Sequence, residues 1–144
     1  MTRIEMIQYV ILGTPKTKKN SMNLVKVHGR MIPVQSDAYK KFEATSAQYL
    51  QPKPEKPIDY PVEVTCLYFY PLNKDGSMPK RPVDLLNLMA ASHDVLVKHG
   101  ILADDNTQII RSVDGSRLIW CTEDPKTIIT IHRLETDNEK ETDS

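Results

Sequence analysis

Strand-like and helix-like periods alternate along this chain, and their order predicts most of its architecture. Residues 5–12 form a β-rich run closed by Gly13 and Pro15, which predicts a first strand. Residues 13–35 are basic and irregular, and "VKVHGRMIPV", with Gly29 near its middle, predicts a short hairpin inside them. Ser36 followed by "DAYKKFEATSAQYL" predicts an N-capped helix whose apolar face takes in Ala38, Phe42, Tyr49 and Leu50. "QPKPEKPIDYP" places four prolines in eleven residues, so it predicts an irregular connection. "VEVTCLYFY" at 62–70 alternates and is rich in aromatic and β-branched residues, which predicts a strand. "PLNKDGSMPKRP" predicts an exposed, mobile loop.

The strongest helical period follows. Leu85, Leu88, Met89, Ser92, Val95 and Leu96 recur at 3.6-residue spacing, and Gly100 stops the run, predicting a helix over about 84–99. "TQIIRSVDGSRLIWC" is a strand that is either bulged or folded back at Asp114-Gly115, since an Asp-Gly pair permits a two-residue hairpin. Asp124-Pro125 marks a turn, and "KTIITIHRL" closes the pattern as an alternating strand. The order β–loop–α–β–α–β–β, without repeats, predicts an α+β fold: a small mixed β-sheet with two main helices packed on one face. Residues 1–134 are expected to form a single domain and 135–144 a disordered acidic tail.

Composition narrows the class. The 144 residues are 40% apolar and 26% charged, as in an ordinary soluble globular protein. No apolar run approaches the roughly 20 residues that span a bilayer. Glu5 and Gln8 interrupt the N-terminal apolar stretch, so no signal peptide is read there and a cytoplasmic location is expected, with no membrane partner. Cys66 and Cys121 lack metal-ligand spacing and read as two buried thiols. The net charge of zero hides an asymmetry: Lys16–Lys41 holds seven Lys/Arg against Asp37 alone, an excess of +6. That is either a footprint for phosphate or a solvated loop and helix face.

The chemistry-bearing stretch is "RPVDLLNLMAASHDVLVKHGILADDNTQI" at 81–109. On the predicted helix Asp84, Asn87, Ala91, Asp94 and Lys98 form one stripe, and Leu86, Ala90, His93 and Val97 a second. Two readings of its aspartates stand side by side. In one, Asp84 caps a helix, Asp94 pairs with Lys98, and Asp104-Asp105-Asn106 is a turn. In the other, carboxylates from separate elements converge on a divalent ion that activates water against a phosphodiester. A helix of about 15 residues is about 22 Å long, so convergence requires the chain to fold back along it.

The stretch resembles the signature of the RusA-type Holliday-junction resolvases: an Arg/Pro lead, Asp-x-Asp-Asn-x-x-Lys, an Asp four residues on, and an Asp-Asp-x-Gln-Ile-like ending. Asp84 matches the first Asp, Asn87 the Asn, Asp94 the later Asp, and Asp104-Asp105 the final pair, with Gln108-Ile109 after it. Gly13, Pro15 and Lys18 resemble the family's Gly-x-Pro-x-x-Lys opening, and "DPKTIITI" its last strand; the likeness covers about residues 6–132. Two positions depart: Leu86 stands where the family has its second Asp, and Ala90 where it has Lys. Both lie on one helical face, which points to a remodelled site.

The resemblance implies a RusA-like fold and a Mg²⁺- or Mn²⁺-dependent endodeoxyribonuclease acting on four-way or other branched DNA in phage or prophage recombination and repair. Asp84 and Asp105 would hold the metal, with Asp104 or His93 in support; the bland alternatives are a turn for Asp104 and a partly buried helix histidine for His93. Lys16, Lys18, Lys19, Arg30, Lys80, Arg81, Arg111 and Arg117 would bind DNA, and a homodimer would match the junction's two cleavage points. Two competitors remain at this stage, a non-catalytic branched-DNA-binding module on the same fold and a small interaction protein of phage replication without a DNA role.

Overall fold

The computed structural model describes residues 5–17, 22–35, 37–81 and 83–135. The strands are β1 (Met6–Leu12), β2 (Met22–Val27), β3 (Arg30–Gln35), β4 (Val62–Pro71), β5 (Ile110–Ser112), β6 (Arg117–Cys121) and β7 (Lys126–Arg133). Two helices, α1 (Asp37–Ser46) and α2 (Leu85–Lys98), complete the α+β fold that the pattern predicts. The proposed cap Ser36 and the acidic tail beyond Glu135 lie outside the described residues.

Pairing builds one mixed sheet in the order β1-β7-β4, with β5 and β6 both alongside β4. β7 runs antiparallel to β1 and to β4, whereas β5 and β6 run parallel to β4. A parallel neighbour requires a crossover, and α2 supplies it between β4 and β5. β2 and β3 pair only with each other, as a two-stranded ribbon turned at His28-Gly29, both with positive φ. That is the hairpin expected at "VKVHGRMIPV".

The stretch 107–121 is the bulged strand of the two alternatives, and it does not fold back at Asp114-Gly115. Val62 is level with Ile110, Glu63 with Ser112 and Leu67 with Arg117, so the register slips twice along one edge of β4. Side chains fill the gap. The Cys66 amide donates to Ser116 Oγ at 3.0 Å and Thr65 Oγ1 donates to the Asp114 carbonyl at 2.8 Å. Gly115 sits here at φ +83, and a Cβ on it would meet the Thr65 methyl at 3.4 Å. Positive φ and that close neighbour both favour glycine.

Alternation along the strands explains which sheet face is covered. Tyr9 and Ile11, Val62, Val64, Cys66 and Tyr68, and Ile129 and Ile131 all point to one face and are buried there with Leu88, Val95 and Leu96 of α2. Each such aliphatic side chain is worth about 1.5–3 kcal/mol when fully buried. Tyr68 carries its hydroxyl into this layer and donates to Ser92 Oγ at 2.9 Å, fixing α2 to β4. The other face is barer; Val10 is 39% and Leu12 59% exposed.

α1 departs from its expected register. Ala38 is exposed, and the inward residues are Tyr39, Glu43 and Ser46, with Phe42 half-buried. The reason is the partner surface. α1 meets α2 through polar groups: Tyr39 donates to Asp94 Oδ2 at 3.3 Å, Lys98 donates to Glu43 Oε1 at 2.6 Å, and the His99 ring contacts the Glu43 carbonyl at 2.7 Å. Lys98 therefore pairs with Glu43 rather than with Asp94 one turn back. Leu50 is fully buried just past a single 3-10 turn at Ala47–Tyr49, as the apolar pattern required. Both cysteines are free thiols; Cys66 is buried, but Cys121 is only half-buried because it ends β6 at the sheet's edge.

Candidate active site

Two loops and one helix bring the candidate residues into place. β1 and β4 both run antiparallel to β7, so both finish at the same end of the sheet. Lys16 leaves from the end of β1, and Lys80, Arg81 and Asp84 lie in the connection that leaves β4; Lys16, Lys80 and Arg81 are exposed. That connection is exposed as expected, and its first part closes on itself. The Ser77 amide and hydroxyl both donate to Asp75 Oδ1, holding that carboxyl below its usual range, while Asn73 Nδ2 donates to Ser77 Oγ and the Met78 carbonyl.

Asp84 occupies the N-cap position of α2 in extended conformation (φ −82°, ψ 132°). Its carbonyl accepts the Asn87 and Leu88 amides at 3.1 and 3.2 Å, which starts the helix. Among the described residues its carboxylate accepts no capping bond from the backbone and receives only Asn87 Nδ2, at 3.4 Å. A capping aspartate normally spends its carboxylate on the N2 or N3 amide; here the side chain is exposed and free for other work. Next to it, Leu86 is 75% exposed and Ala90 is exposed too.

The return from α2 is pinned at both ends. Gly100 (φ +77) closes the helix with the paired bonds of a Schellman motif, Ile101 N–H to the Leu96 carbonyl and Gly100 N–H to the Val97 carbonyl. Ile101 and Leu102 are buried, and Ile58 bonds to the backbone on either side of Leu102. Ile109 and Ile110 are buried at the start of β5. Between these anchors residues 103–108 stand exposed. Asp104 Oδ1 accepts the Asp105 amide at 2.7 Å and Asn106 Oδ1 accepts the Gln108 amide at 2.9 Å, so the turn reading of Asp104 and Asn106 describes their contacts. The Asp105 carboxylate is displayed from the crest.

Its charge reaches His93. Burial lowers the His93 pKa, and the negative charge of Asp105 works in the opposite direction. Among the described residues, the buried His93 Nε2 has no hydrogen-bond partner. A buried ring nitrogen left unpaired is uncommon and marks a place where a ligand or an ion's hydration shell would be welcome.

Among the described residues no three His, Cys, Asp or Glu side chains gather as a group that could hold a metal ion. What the chain offers a hydrated cation is the exposed Asp84 carboxylate at one end of α2, and the exposed Asp105 on the return. Mg²⁺ keeps several waters and takes one or two carboxylates, its shell completed by substrate phosphate.

The basic candidates divide. Lys16, Lys80 and Arg81 share the Asp84 end. Arg117 is exposed at the start of β6, level with the middle of β4, and Arg111 lies on β5 at the level where β4 begins, the opposite end of the sheet. Arg30 opens β3 at the ribbon's turn. Lys18 and Lys19 lie outside the described residues. What the sequence did not reveal is the half-buried polar seam of Glu43, Lys98, Tyr39 and Asp94, whose partners are 55 residues apart. No described helix is long and apolar enough to cross a membrane.

Against known proteins, the model of one family, endodeoxyribonuclease RusA, matches residues 13–132, most of the chain. No curated protein matches.

Proposed function

The chain belongs to the RusA endodeoxyribonuclease family, and from that premise we propose that it is a structure-selective nuclease that cuts Holliday junctions or other branched DNA with a bound divalent ion, Mg²⁺ or Mn²⁺, during phage or prophage recombination and repair. The observation that carries this reading is the Asp84 carboxylate, set at a helix N-cap yet making no capping bond.

Asp84 and Asp105 are the carboxylates that would hold the ion. When bound, the ion polarises the phosphoryl oxygen and makes hydroxide available from water near neutral pH. Asp104 acts on the protein side by accepting the Asp105 amide and so setting the crest from which Asp105 projects. His93, kept neutral by burial, has an open Nε2 for a ligand bond or a proton. Lys16, Lys80 and Arg81 would neutralise backbone phosphates near Asp84, giving affinity without sequence preference; Lys18, Lys19, Arg30 and Arg117 would add contacts, and Arg111 would make a separate one at the opposite end of the sheet. A two-fold dimer suits a substrate with two symmetric cleavage points, and the barer sheet face, with Val10 and Leu12 exposed, supports a second copy as its cover.

The test is single-turnover nicking of a synthetic four-way junction in Mg²⁺ by the full chain, with Asp84→Asn and Asp105→Asn alongside. Nicking by the native chain that each variant abolishes is expected. A native chain that never nicks, across Mg²⁺ and Mn²⁺ and a range of salt, refutes the reading.

A second reading has its own support. Leu86 and Ala90 stand exposed where the family's Asp and Lys belong, and no three ligands are gathered among the described residues. On that reading the chain binds branches without cutting them. It predicts salt-sensitive junction binding that persists in EDTA.

A further inference from the structure

The β2–β3 ribbon has no obvious use in a small globular domain. It is a sheet of its own, and an isolated two-stranded hairpin is marginally stable in water. Five of its apolar side chains are nonetheless outside: Leu24 is 66%, Val25 41%, Val27 39%, Met31 58% and Ile32 40% exposed. The cross-strand pairs assign them to faces, since directly opposed residues share one. Lys26 lies opposite Met31, with Leu24 two residues before Lys26, on one face; Val25 lies opposite Ile32 and Val27 opposite Arg30 on the other. Each face therefore carries one cation among apolar groups. No acid occurs between Met22 and Gln35.

Both faces being apolar and cationic decides the kind of partner. A flat protein surface covers one face of a ribbon and leaves the other wet. A partner that satisfies both must surround the ribbon, with negative charge on two walls and apolar surface within reach. DNA answers that description: the major groove is about 12 Å wide, admits a two-stranded ribbon and lies between two phosphate backbones. Apolar side chains are also what proteins push against base steps that they unstack.

We propose that the β2–β3 ribbon is a DNA-inserting arm, which enters the open branch of the substrate with Lys26 and Arg30 on opposite phosphate walls and Val27, Met31 and Ile32 against exposed base faces. The inference rests on the branched-DNA reading above and adds to it an element that selects the branch over plain duplex. The tight turn suits insertion. Only His28 and Gly29 separate the strands, both at positive φ, so the leading edge is two residues wide.

The experiment uses the full chain, with Ca²⁺ in place of Mg²⁺ to hold the substrate intact, and a four-way junction bearing 2-aminopurine beside the branch. The native chain is expected to raise 2-aminopurine fluorescence and to prefer the junction over linear duplex. The triple variant Val27→Thr, Met31→Thr, Ile32→Thr keeps strand-forming residues and the charges. It should lose the fluorescence rise and about tenfold or more of its junction affinity, the scale of contacts at an unstacked step. Lys26→Gln with Arg30→Gln should lower the slope of log K against log salt by about 2. An unchanged thermal melt shows that the body of each variant is folded. A triple variant that binds and brightens the junction like the native chain overturns the arm. So does one that changes only the oligomeric state by light scattering, which would make the ribbon a clasp for a second copy. A native chain that binds no junction refutes the parent reading and the arm together, whereas a chain that binds and unstacks but never nicks refutes the nuclease alone.

Discussion

Introducing at Leu86 and Ala90 the acid and the lysine that the resemblance implies there gives the sharpest test of the proposed site. The variant is Leu86→Asp with Ala90→Lys. Leu86 is 75% exposed, so only about a quarter of a leucine's burial is at stake, on the order of 0.5 kcal/mol. An acid in the first turn of α2 gains about 0.3–1 kcal/mol from the helix dipole. Repulsion from Asp84, two residues away, costs about 0.6 kcal/mol at a separation of about 7 Å in water. Exchanging exposed Ala90 for lysine costs a few tenths of a kcal/mol in helix propensity. These terms nearly cancel, so the unfolding free energy should move by less than about 1 kcal/mol. The ion's affinity should move more. A third carboxylate near a divalent cation gains several kcal/mol at an effective dielectric of about 20, most of it returned as lost hydration; a surplus of about 1.4 kcal/mol is a tenfold gain in affinity. Calorimetric titration of Ca²⁺ into the junction-bound chain reads the affinity, and single-turnover nicking in Mg²⁺ reads the consequence. A folded variant in which neither quantity changes refutes the placement of the reaction at the Asp84 end of α2.

Three further expectations follow from packing. Tyr68→Phe leaves Ser92 with one bond fewer in the core and should cost about 1–2 kcal/mol, as should Ser92→Ala, whereas the double variant should cost less than their sum because neither orphan remains; urea melts of the four proteins read this cycle. Burial raises the Cys66 thiol to about 11, so at pH 8 an aromatic disulfide reagent should modify Cys121 within minutes and Cys66 only after unfolding; two fast thiols would contradict the packing of β4. Burial also raises the Tyr9 hydroxyl from 10.0 to about 12, and Tyr39 and Tyr68 are raised as well. The unfolded chain therefore releases these protons first, so their stabilisation is intact below pH 10 and fades as pH climbs toward 12. Absorbance at 295 nm should show these three of the six tyrosines staying protonated at pH 11 until the chain unfolds.

Period and punctuation made most of the fold legible. β4 and β7 read clearly because each alternates against a covered face, and α2 because Leu88, Met89, Ser92, Val95 and Leu96 recur at helical spacing. α1 was misread by one position because its partner is not apolar. Tyr39 and Glu43 face inward to reach Asp94 and Lys98, and a hydrophobicity pattern carries no information about groups 55 residues distant. The Asp114-Gly115 pair was ambiguous for a related reason. The same dipeptide serves a hairpin or a bulge, and the choice was made by β4, whose Thr65 and Cys66 bond across the gap. At the candidate site, the order of Asp84, Asn87 and the Asp104-Asp105 pair carried the resemblance, and the match over residues 13–132 bears out the family. What the sequence could not say is that Asp84 makes no capping bond with its carboxylate and that the charge of Asp105 is felt at His93. Those are properties of a cap geometry and of a return loop anchored by Ile58 and Ile110.

The slipped register beside β4 also governs how the sheet comes apart. Between β5 and β6 a serine hydroxyl stands in for a carbonyl, so the amide of Cys66 is held by a side chain that can rotate away without moving any backbone. Native-state deuterium uptake should therefore reach Cys66 well before Ile129 of β7, although the two are level in the middle of the sheet. The border should then open as two short units. The one carrying Ile110, next to the Asp105 crest, can detach and reseal while Arg117–Cys121 stays zipped.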